Sequence, residues 1–196
     1  MRIISGSFKS RLIQYPKIEA TRPLSDRMKE TIFNVLGDAV QDQKVLDLYA
    51  GSGSFGLEAI SRGARRVYFV DEEKIACQVI RENLRSLGID TGSHPVFMLP
   101  ITRALKNCQN HHEKFNLIFV DPPYNKGLVK KTLRQLERFD IVQKFGKIII
   151  HRSHKEDLPT LEKFQLIKEK QIGQAFVDFL EFNHSDPQTS HDDQQA

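Results

Sequence analysis

One stretch restricts this chain more than any other: the run Phe115–Val120 followed by Asp121-Pro122-Pro123-Tyr124. A near-continuous apolar run of that length reads as a buried strand. An acid, two prolines and an aromatic are an uncommon way to leave one. Proline has no N–H and fixes φ, so the pair stops the ladder and stiffens the loop. Each proline also holds the residue before it, Asp121 or Pro122, in an extended conformation. A carboxylate, free backbone carbonyls and a phenol ring are thereby displayed on a rigid turn. That turn sits at a strand's C-terminal end, the edge of an open α/β sheet where ligands bind.

The group suits an exocyclic amino group of a nucleobase, which has two N–H donors on a planar, poorly nucleophilic nitrogen. Asp121 and the Pro122 carbonyl can each accept one of those N–H bonds, and Tyr124 can stack on the base. The plainer alternative is a strand-to-helix turn that happens to use proline. A lone Asp-Pro-Pro would favour that alternative. Tyr124, and a glycine-rich loop behind an earlier strand, weigh against it.

That earlier unit is the strand Lys44–Tyr49, the loop Ala50-Gly51-Ser52-Gly53-Ser54-Phe55-Gly56 and a helix from Leu57 to Arg62, closed by Gly63. Strand, glycine-rich turn and helix N-terminus form a nucleotide-binding unit. Glycines let backbone N–H groups approach a ligand closely. The loop also satisfies the dinucleotide pattern G-x-G-x-x-G, but Asp47 lies inside the strand. A carboxylate aimed at that pocket repels a pyrophosphate and suits an ammonium. S-adenosylmethionine carries an α-ammonium and a sulfonium. A hydride-transfer site has no call for the Asp-Pro-Pro-Tyr turn either. The next strand, Val67–Val70, ends on Asp71, about twenty residues beyond Gly51 and placed for both hydroxyls of a ribose. Asp71 is equally a candidate N-cap for the helix that follows, and can be both.

Around these anchors, Arg2–Ile4 and Arg11–Tyr15 read as a small hairpin about the polar turn Ser5–Ser10. Its Phe8 either meets a nucleic acid or packs the hairpin down, the second being favoured. Thr21-Arg22-Pro23 is an extended linker. Ser25 or Asp26 then caps a helix to about Leu36, with Met28, Ile32, Val35 and Leu36 as its buried stripe, Phe33 beside it and Gly37 as its stop. Glu73–Leu87 is an amphipathic helix with Ile75, Val79, Ile80, Leu84 and Leu87 at helical spacing. His94–Leu99 is a strand. A short helix starts at Ile101–Leu105, and the polar stretch 107–114 is turn-like, with His111 and His112 as solvated loop residues rather than metal ligands. Gly127–Arg138 is helical and Lys147–His151 a fifth strand. Phe164–Lys168 and Ala175–Phe182 form an antiparallel pair about Gly173. The stretch 183–196 is polar and reads as a disordered tail.

Length predicts one domain, and 39% hydrophobic with 28% charged residues fits a soluble globular protein. No apolar run reaches a membrane span, no signal-peptide core is present, and Cys77 and Cys108 stand apart. A cytoplasmic protein without a structural metal or disulfide is expected. The net charge of +4 resides wholly in residues 1–30, where Arg2, Lys9, Arg11, Lys17, Arg22, Arg27 and Lys29 oppose Glu19, Asp26 and Glu30. Such a segment is either a solvated basic arm or the dock of an anionic partner. Lys126, Lys130, Lys131 and Arg134 add positive charge near the Asp-Pro-Pro-Tyr turn. Arg22 becomes a contact for a carboxylate or phosphate if its segment folds over the pocket.

Asp47-Leu48-Tyr49-Ala50-Gly51-Ser52-Gly53 together with Asp121-Pro122-Pro123-Tyr124 resembles the S-adenosylmethionine-dependent methyltransferases that act on exocyclic amino nitrogens. Met1-Arg2-Ile3-Ile4-Ser5-Gly6, Thr21-Arg22-Pro23-Leu24-Ser25-Asp26-Arg27 and Phe33-Asn34-Val35-Leu36-Gly37 narrow it. With them the chain resembles the bacterial RsmD-type family, which methylates N2 of a guanine in 16S ribosomal RNA. The resemblance implies an α/β, Rossmann-like fold with a seven-stranded mixed sheet of order 3-2-1-4-5-7-6, strand 7 antiparallel. It divides the chain into an N-terminal β-hairpin extension (1–20), a methyltransferase domain (21–182) and the tail (183–196).

It also implies roles. Asp47, Tyr49, Ala50, Gly51, Ser52, Gly53 and Glu72 are cofactor-binding residues for S-adenosyl-L-methionine, Asp71 holds its ribose, and the Ile101 N–H reaches its adenine. Asp121, Pro122, Pro123 and Tyr124 hold the guanine. Arg2, Lys9, Arg11, Arg22, Lys126 and Lys130 touch RNA. The implied partner is ribosomal RNA, a small ribosomal subunit or an assembly intermediate, met by a monomer. Three positions depart from the family's pattern: Pro100 where an Asp or Asn is common, His151 where an acid is common, and Ile172 where a Tyr is common.

Two other readings compete. A DNA adenine-N6 or cytosine-N4 methyltransferase uses the same turn, but the chain lacks an obvious DNA-recognition domain. A non-catalytic RNA-binding or ribosome-assembly protein keeps the fold, but has no need of an intact Asp-Pro-Pro-Tyr.

Overall fold

The computed structural model describes residues 1–16, 26–124 and 126–183. The helices are α1 (Asp26–Leu36), α2 (Ser54–Ser61), α3 (Lys74–Ser86), α4 (Ile101–Asn110) and α5 (Leu128–Arg138). The strands are β1 (Lys44–Leu48), β2 (Arg66–Asp71), β3 (Val96–Met98), β4 (Phe115–Val120), β5 (Val142–Ser153), β6 (Phe164–Ile172) and β7 (Ala175–Phe182). All seven strands join one sheet in the order β3-β2-β1-β4-β5-β7-β6, as the family resemblance implies. The first five run parallel, β7 is antiparallel to β5, and β6 to β7.

Successive strand residues face opposite sides, and the core divides accordingly. Val45, Phe69, Leu117, Phe119 and Ile149 pack against α1, α2 and α3, while Leu46, Val70, Ile118, Val120 and Ile150 pack against α4 and α5. Burial on both faces is what gives a parallel strand its unbroken apolar reading. Among the described residues, no helix is long and apolar enough to cross a membrane.

Several elements differ from the sequence reading. Helix α2 starts at Ser54 rather than Leu57, because Gly53 turns into the left-handed region at φ +75° and launches it earlier. Helix α4 runs on to Asn110, since Cys108 continues the buried stripe of Ala104 and Leu105 while the polar residues face outward. Strand β5 begins at Val142, five residues before Lys147, and crosses an irregularity where Phe145 has φ +59°. Strand β6 extends to Ile172. It is the sheet's edge, so its charged residues face solvent, a usual protection for an edge. Strand β3 is shorter than expected. His94 instead lies before it, buried, with Nδ1 accepting the Val67 N–H at 3.1 Å. Ile75, assigned to the buried stripe of α3, is 50% exposed in the helix's first turn. Of the two expected caps, Asp26 is the first residue of α1, while Ser25, the linker at residues 21–23 and the tail from 184 lie outside the described residues.

The N-terminal extension is a loop closed by one antiparallel bridge, Arg2 with Leu12, rather than a two-stranded hairpin. Its backbone bonds run Ile3 to Arg11, Ser10 to Ile3 and Ile13 to Met1. It is docked, not free: Ile3 and Ile13 are core residues, and Phe8 packs against the same core. Buried Glu58 on α2 accepts the Ile4 and Ser5 N–H groups at 2.7 and 3.0 Å and the Arg62 Nε–H at 2.8 Å. Lys29, fully buried on α1, donates to the Arg2 carbonyl and lies 4.0 Å from Glu58. One of the cations counted toward the basic excess is therefore an internal anchor.

Candidate active site

The sheet's register builds the site. Leu48 lies beside Val70 and Val120, and Val120 beside Ile150. The chain ends of β1, β2 and β4 and the adjoining part of β5 thus stand level. Asp47, Asp71 and His151 share strand parity with the residues facing α1–α3, and Asp121 continues that parity just past β4. The glycine loop and the Asp-Pro-Pro-Tyr turn open at the same sheet edge.

Asp47 is 1% exposed. Its Oδ2 accepts the Gly56 N–H at 2.9 Å, while Oδ1 is buried with no protein partner among the described residues. Burial holds this carboxyl well above the ordinary carboxylate range; the Gly56 bond pulls it back, and the charges of Asp121 and Asp71 push it further up. Three carboxylates thus converge where a cation would relieve them. Asp71 Oδ2 accepts the Gly51 N–H at 2.8 Å, and Oδ1 accepts that of Glu73 at 2.9 Å. It therefore caps the turn ahead of α3, whose own N-cap is Glu73. Gly51 has φ +55°, and a Cβ there would meet nothing nearer than the Tyr49 carbonyl at 4.0 Å, so the loop leaves space at this point.

The remaining cofactor candidates divide. Ala50 and Ser52 are buried in the loop, and Gly53 closes it with a 2.7 Å bond to the Ala50 carbonyl. Glu72 is exposed beside Asp71, and Ile101 opens α4 after Pro100. Tyr49 turns its phenol to α5, 2.7 Å from Thr132 Oγ1, so only its backbone belongs to the loop. Burial raises that phenol's pKa, with the Thr132 bond opposing and Glu72 adding to the rise.

On the other strand end, Asp121 Oδ1 lies 2.7 Å from His151 Nδ1, and His151 Nε2 lies 2.6 Å from the Tyr124 hydroxyl. Pro122 is buried and Tyr124 is 36% exposed. A crevice of about 460 Å³ lies elsewhere, lined by Lys44, Arg65, Arg66, Gly92 and Ser93 at the opposite ends of β1 and β2.

Residues 1–181 match the family described as conserved hypothetical protein 95. Ribosomal RNA small subunit methyltransferase D of Escherichia coli (strain K12) is 32% identical over 176 residues, 89% of this chain and 86% of that protein. The chain belongs to the ribosomal RNA small subunit methyltransferase D family. Among solved structures, YhhF of Escherichia coli is 29% identical with TM-score 0.78, covering 93% of this chain and 97% of that one. SMU.776, complexed with SAH in its crystal, is 17% identical with TM-score 0.68 over 81% of this chain and 50% of that one, a likeness of fold.

The residues expected at RNA are spread over two surfaces. Lys9 and Arg11 are exposed on the extension, where Arg11 donates to the Ser86 carbonyl at 2.9 Å, and exposed Arg2 pairs with Asp26 at 3.2 Å. Lys126 and Lys130 are exposed beside the start of α5. Arg22 lies outside the described residues.

Two site residues carried no role in the sequence reading. His151 stood out only as a departure, although it directly follows the apolar run Ile148–Ile150 at the sheet edge where ligands bind. Asn83, 1% exposed on α3, donates from Nδ2 to the Gln14 and Ser52 carbonyls, both at 3.0 Å, and accepts the Gln14 N–H at 2.7 Å. Its spacing, four residues after Val79, three after Ile80 and four before Leu87, was the signal that puts it on the buried stripe of α3.

Proposed function

We propose that this protein transfers a methyl group from S-adenosylmethionine to the exocyclic N2 amino group of a guanine in 16S ribosomal RNA. The observation that carries the reading is the placement of Asp47, Asp71 and Asp121 at one sheet edge, with Asp47 Oδ1 buried and without a partner among the described residues. The fit to the cofactor rests on that oxygen: a buried acceptor without a donor suits the α-ammonium of the methionine portion. Asp47 and the 50–53 loop would hold that portion, and Asp71 the ribose. When bound, S-adenosylmethionine supplies an electrophilic methyl group.

The chain's own residues present the nucleophile. Asp121 and the Pro122 carbonyl accept the two amino N–H bonds and fix the nitrogen's direction. The Asp121 charge offsets the positive charge that grows on that nitrogen, the preorganised electrostatic help that usually dominates catalysis. Tyr124 stacks on the base, which leaves its own stack to reach the turn. Asp121 needs no strong basicity, because the amine becomes acidic once alkylated. Lys9 and Arg11 on the extension, with Lys126 and Lys130 beside the turn, face the RNA backbone.

Asp121→Ala should lower transfer to unmethylated small subunits or their RNA by about 10²- to 10³-fold, with S-adenosylmethionine affinity nearly unchanged. Near-normal turnover would refute the assignment. Mass mapping of 16S RNA from cells lacking the protein identifies the missing methyl group, and labelled transfer to duplex DNA separates the competing DNA reading.

A further inference from the structure

We propose that His151 is a positioning residue that locks the Asp121 carboxylate and the Tyr124 ring into one fixed arrangement. The inference rests on the reading that these two groups receive the base. His151 is 7% exposed, and its register partner across β7, Val177, is apolar and fully buried. Among the described residues its imidazole nitrogens bond to Asp121 and Tyr124, at 2.7 and 2.6 Å. The two rings meet edge to face with centroids 5.3 Å apart.

Donor counting sets the direction of this chain. An ionised carboxylate only accepts, so His151 Nδ1 carries the hydrogen that points at Asp121. In the neutral ring Nε2 is then an acceptor, so the Tyr124 hydroxyl donates to it. The bonds run one way, from Tyr124 to His151 to Asp121. They tie down Oδ1 and leave Oδ2 for an amino N–H. They also set the ring that would lie on the base at a fixed angle to the carboxylate that would hold its edge. A carboxylate at position 151 has no hydrogen to give Asp121 and would repel it. A glutamine amide has one donor and one acceptor end and can reproduce the link.

The test compares His151→Phe, His151→Asn and His151→Gln in full-length protein, with methyl transfer to unmethylated small subunits and calorimetric S-adenosylmethionine binding as readouts. Loss of positioning should lower kcat for the Phe variant by roughly 10- to 100-fold, with KM and cofactor affinity little changed. The Gln variant should recover most of that loss. Tyr124→Phe combined with His151→Phe should cost less than the two separate losses multiplied, since both break one chain of bonds. Where the Phe variant does not fold, the Asn variant, too short to span both partners, takes its place against Gln.

Turnover within about twofold of wild type in the Phe or Asn variant overturns the proposal. So does a Gln variant as impaired as Phe or Asn. Full multiplicativity with Tyr124→Phe overturns it too. If the wild-type protein itself transfers no methyl group, the parent reading fails and this one goes with it.

Discussion

Replacing Asp47 by asparagine should stabilise the ligand-free protein and weaken its hold on S-adenosylmethionine. The side chain is 1% exposed, with one oxygen bonded to the Gly56 N–H and the other bonded to no described residue. A buried acceptor left unsatisfied costs about 1–3 kcal/mol, and more when charged. The amide keeps the Gly56 bond and removes the charge, but leaves its own N–H groups unpaired, so the net gain shrinks to about 1 kcal/mol. For a chain of this length that raises Tm by roughly 2–4 °C.

The pH dependence has a definite sign. Burial holds the folded-state carboxyl above its ordinary value of 3.8. Such a group stabilises the fold only while protonated. As pH rises past the unfolded value the unfolded chain releases its proton first, and this stability is lost by the time pH reaches the folded value. The advantage of Asp47→Asn should therefore be small near pH 4 and grow toward neutrality. Loss of a charge-assisted bond to the cofactor's ammonium should weaken binding by about 1.5–3 kcal/mol, or roughly 10- to 150-fold. Thermal melts of both proteins across pH, with calorimetric titration, measure each quantity. A wild-type protein that is the more stable at neutral pH, or an unchanged cofactor affinity, would refute the account of Asp47 as an unpaired acid awaiting a cation.

Gly6→Ala should dislodge the extension, since the added Cβ would fall 1.8 Å from the Ser61 carbonyl oxygen at a residue with φ +81°. The expected loss is about 1–3 kcal/mol, with faster amide exchange across residues 1–16. Glu58→Gln removes the charge that holds the Ile4 and Ser5 N–H groups and faces buried Lys29. A loss of about 3–5 kcal/mol is expected in urea unfolding, and a loss under about 1 kcal/mol would show that the network contributes little. Lys9→Glu with Arg11→Glu should weaken ribosomal RNA binding and reduce the slope of log K against log salt by about one per lost phosphate contact. Cofactor affinity should stay the same, and an unchanged salt slope would place the RNA elsewhere.

The ends of β4 and β7 were legible because apolar runs there stop at residues that cannot continue them, the prolines after Asp121 and the polar residues after Phe182. The strand order was legible only through the resemblance, since no local pattern says that β7 inserts between β5 and β6. The ends of α4 and β6 were hidden by polarity: a solvent-facing helix side and an edge strand look like loop in composition. Ile75 shows the opposite error, an apolar residue at helical spacing whose place in the first turn of α3 leaves it beyond the core. In the site, the carboxylates were legible because each lies at or just past the C-terminal part of a strand: Asp47 inside β1 ahead of the glycine loop, Asp71 at the close of β2, and Asp121 after β4 and before two prolines. Glu58 and Lys29 were not, and Asn83 was legible only in its spacing. A charged or amide residue on a helix normally faces water, and only the docked extension takes these three inside.

That docking joins two parts which the sequence presented as separate, a basic arm for RNA and a glycine loop for the cofactor. One Asn83 amide bonds Gln14 of the extension through both its oxygen and its nitrogen, and holds the Ser52 carbonyl of the loop with that same nitrogen. The Ser52 hydroxyl in turn lies 3.7 Å from Met1 Sδ. Removing the extension would strip Asn83, Glu58 and Lys29 of the partners it supplies, at Gln14, Ile4, Ser5 and Arg2, a cost that falls beside the loop as much as on the arm. The extension is thus part of the wall that shapes the glycine loop. Its basic surface is held at a fixed distance from the Asp47 carboxylate, as the proposed binding of an RNA backbone and a small cofactor in one frame requires.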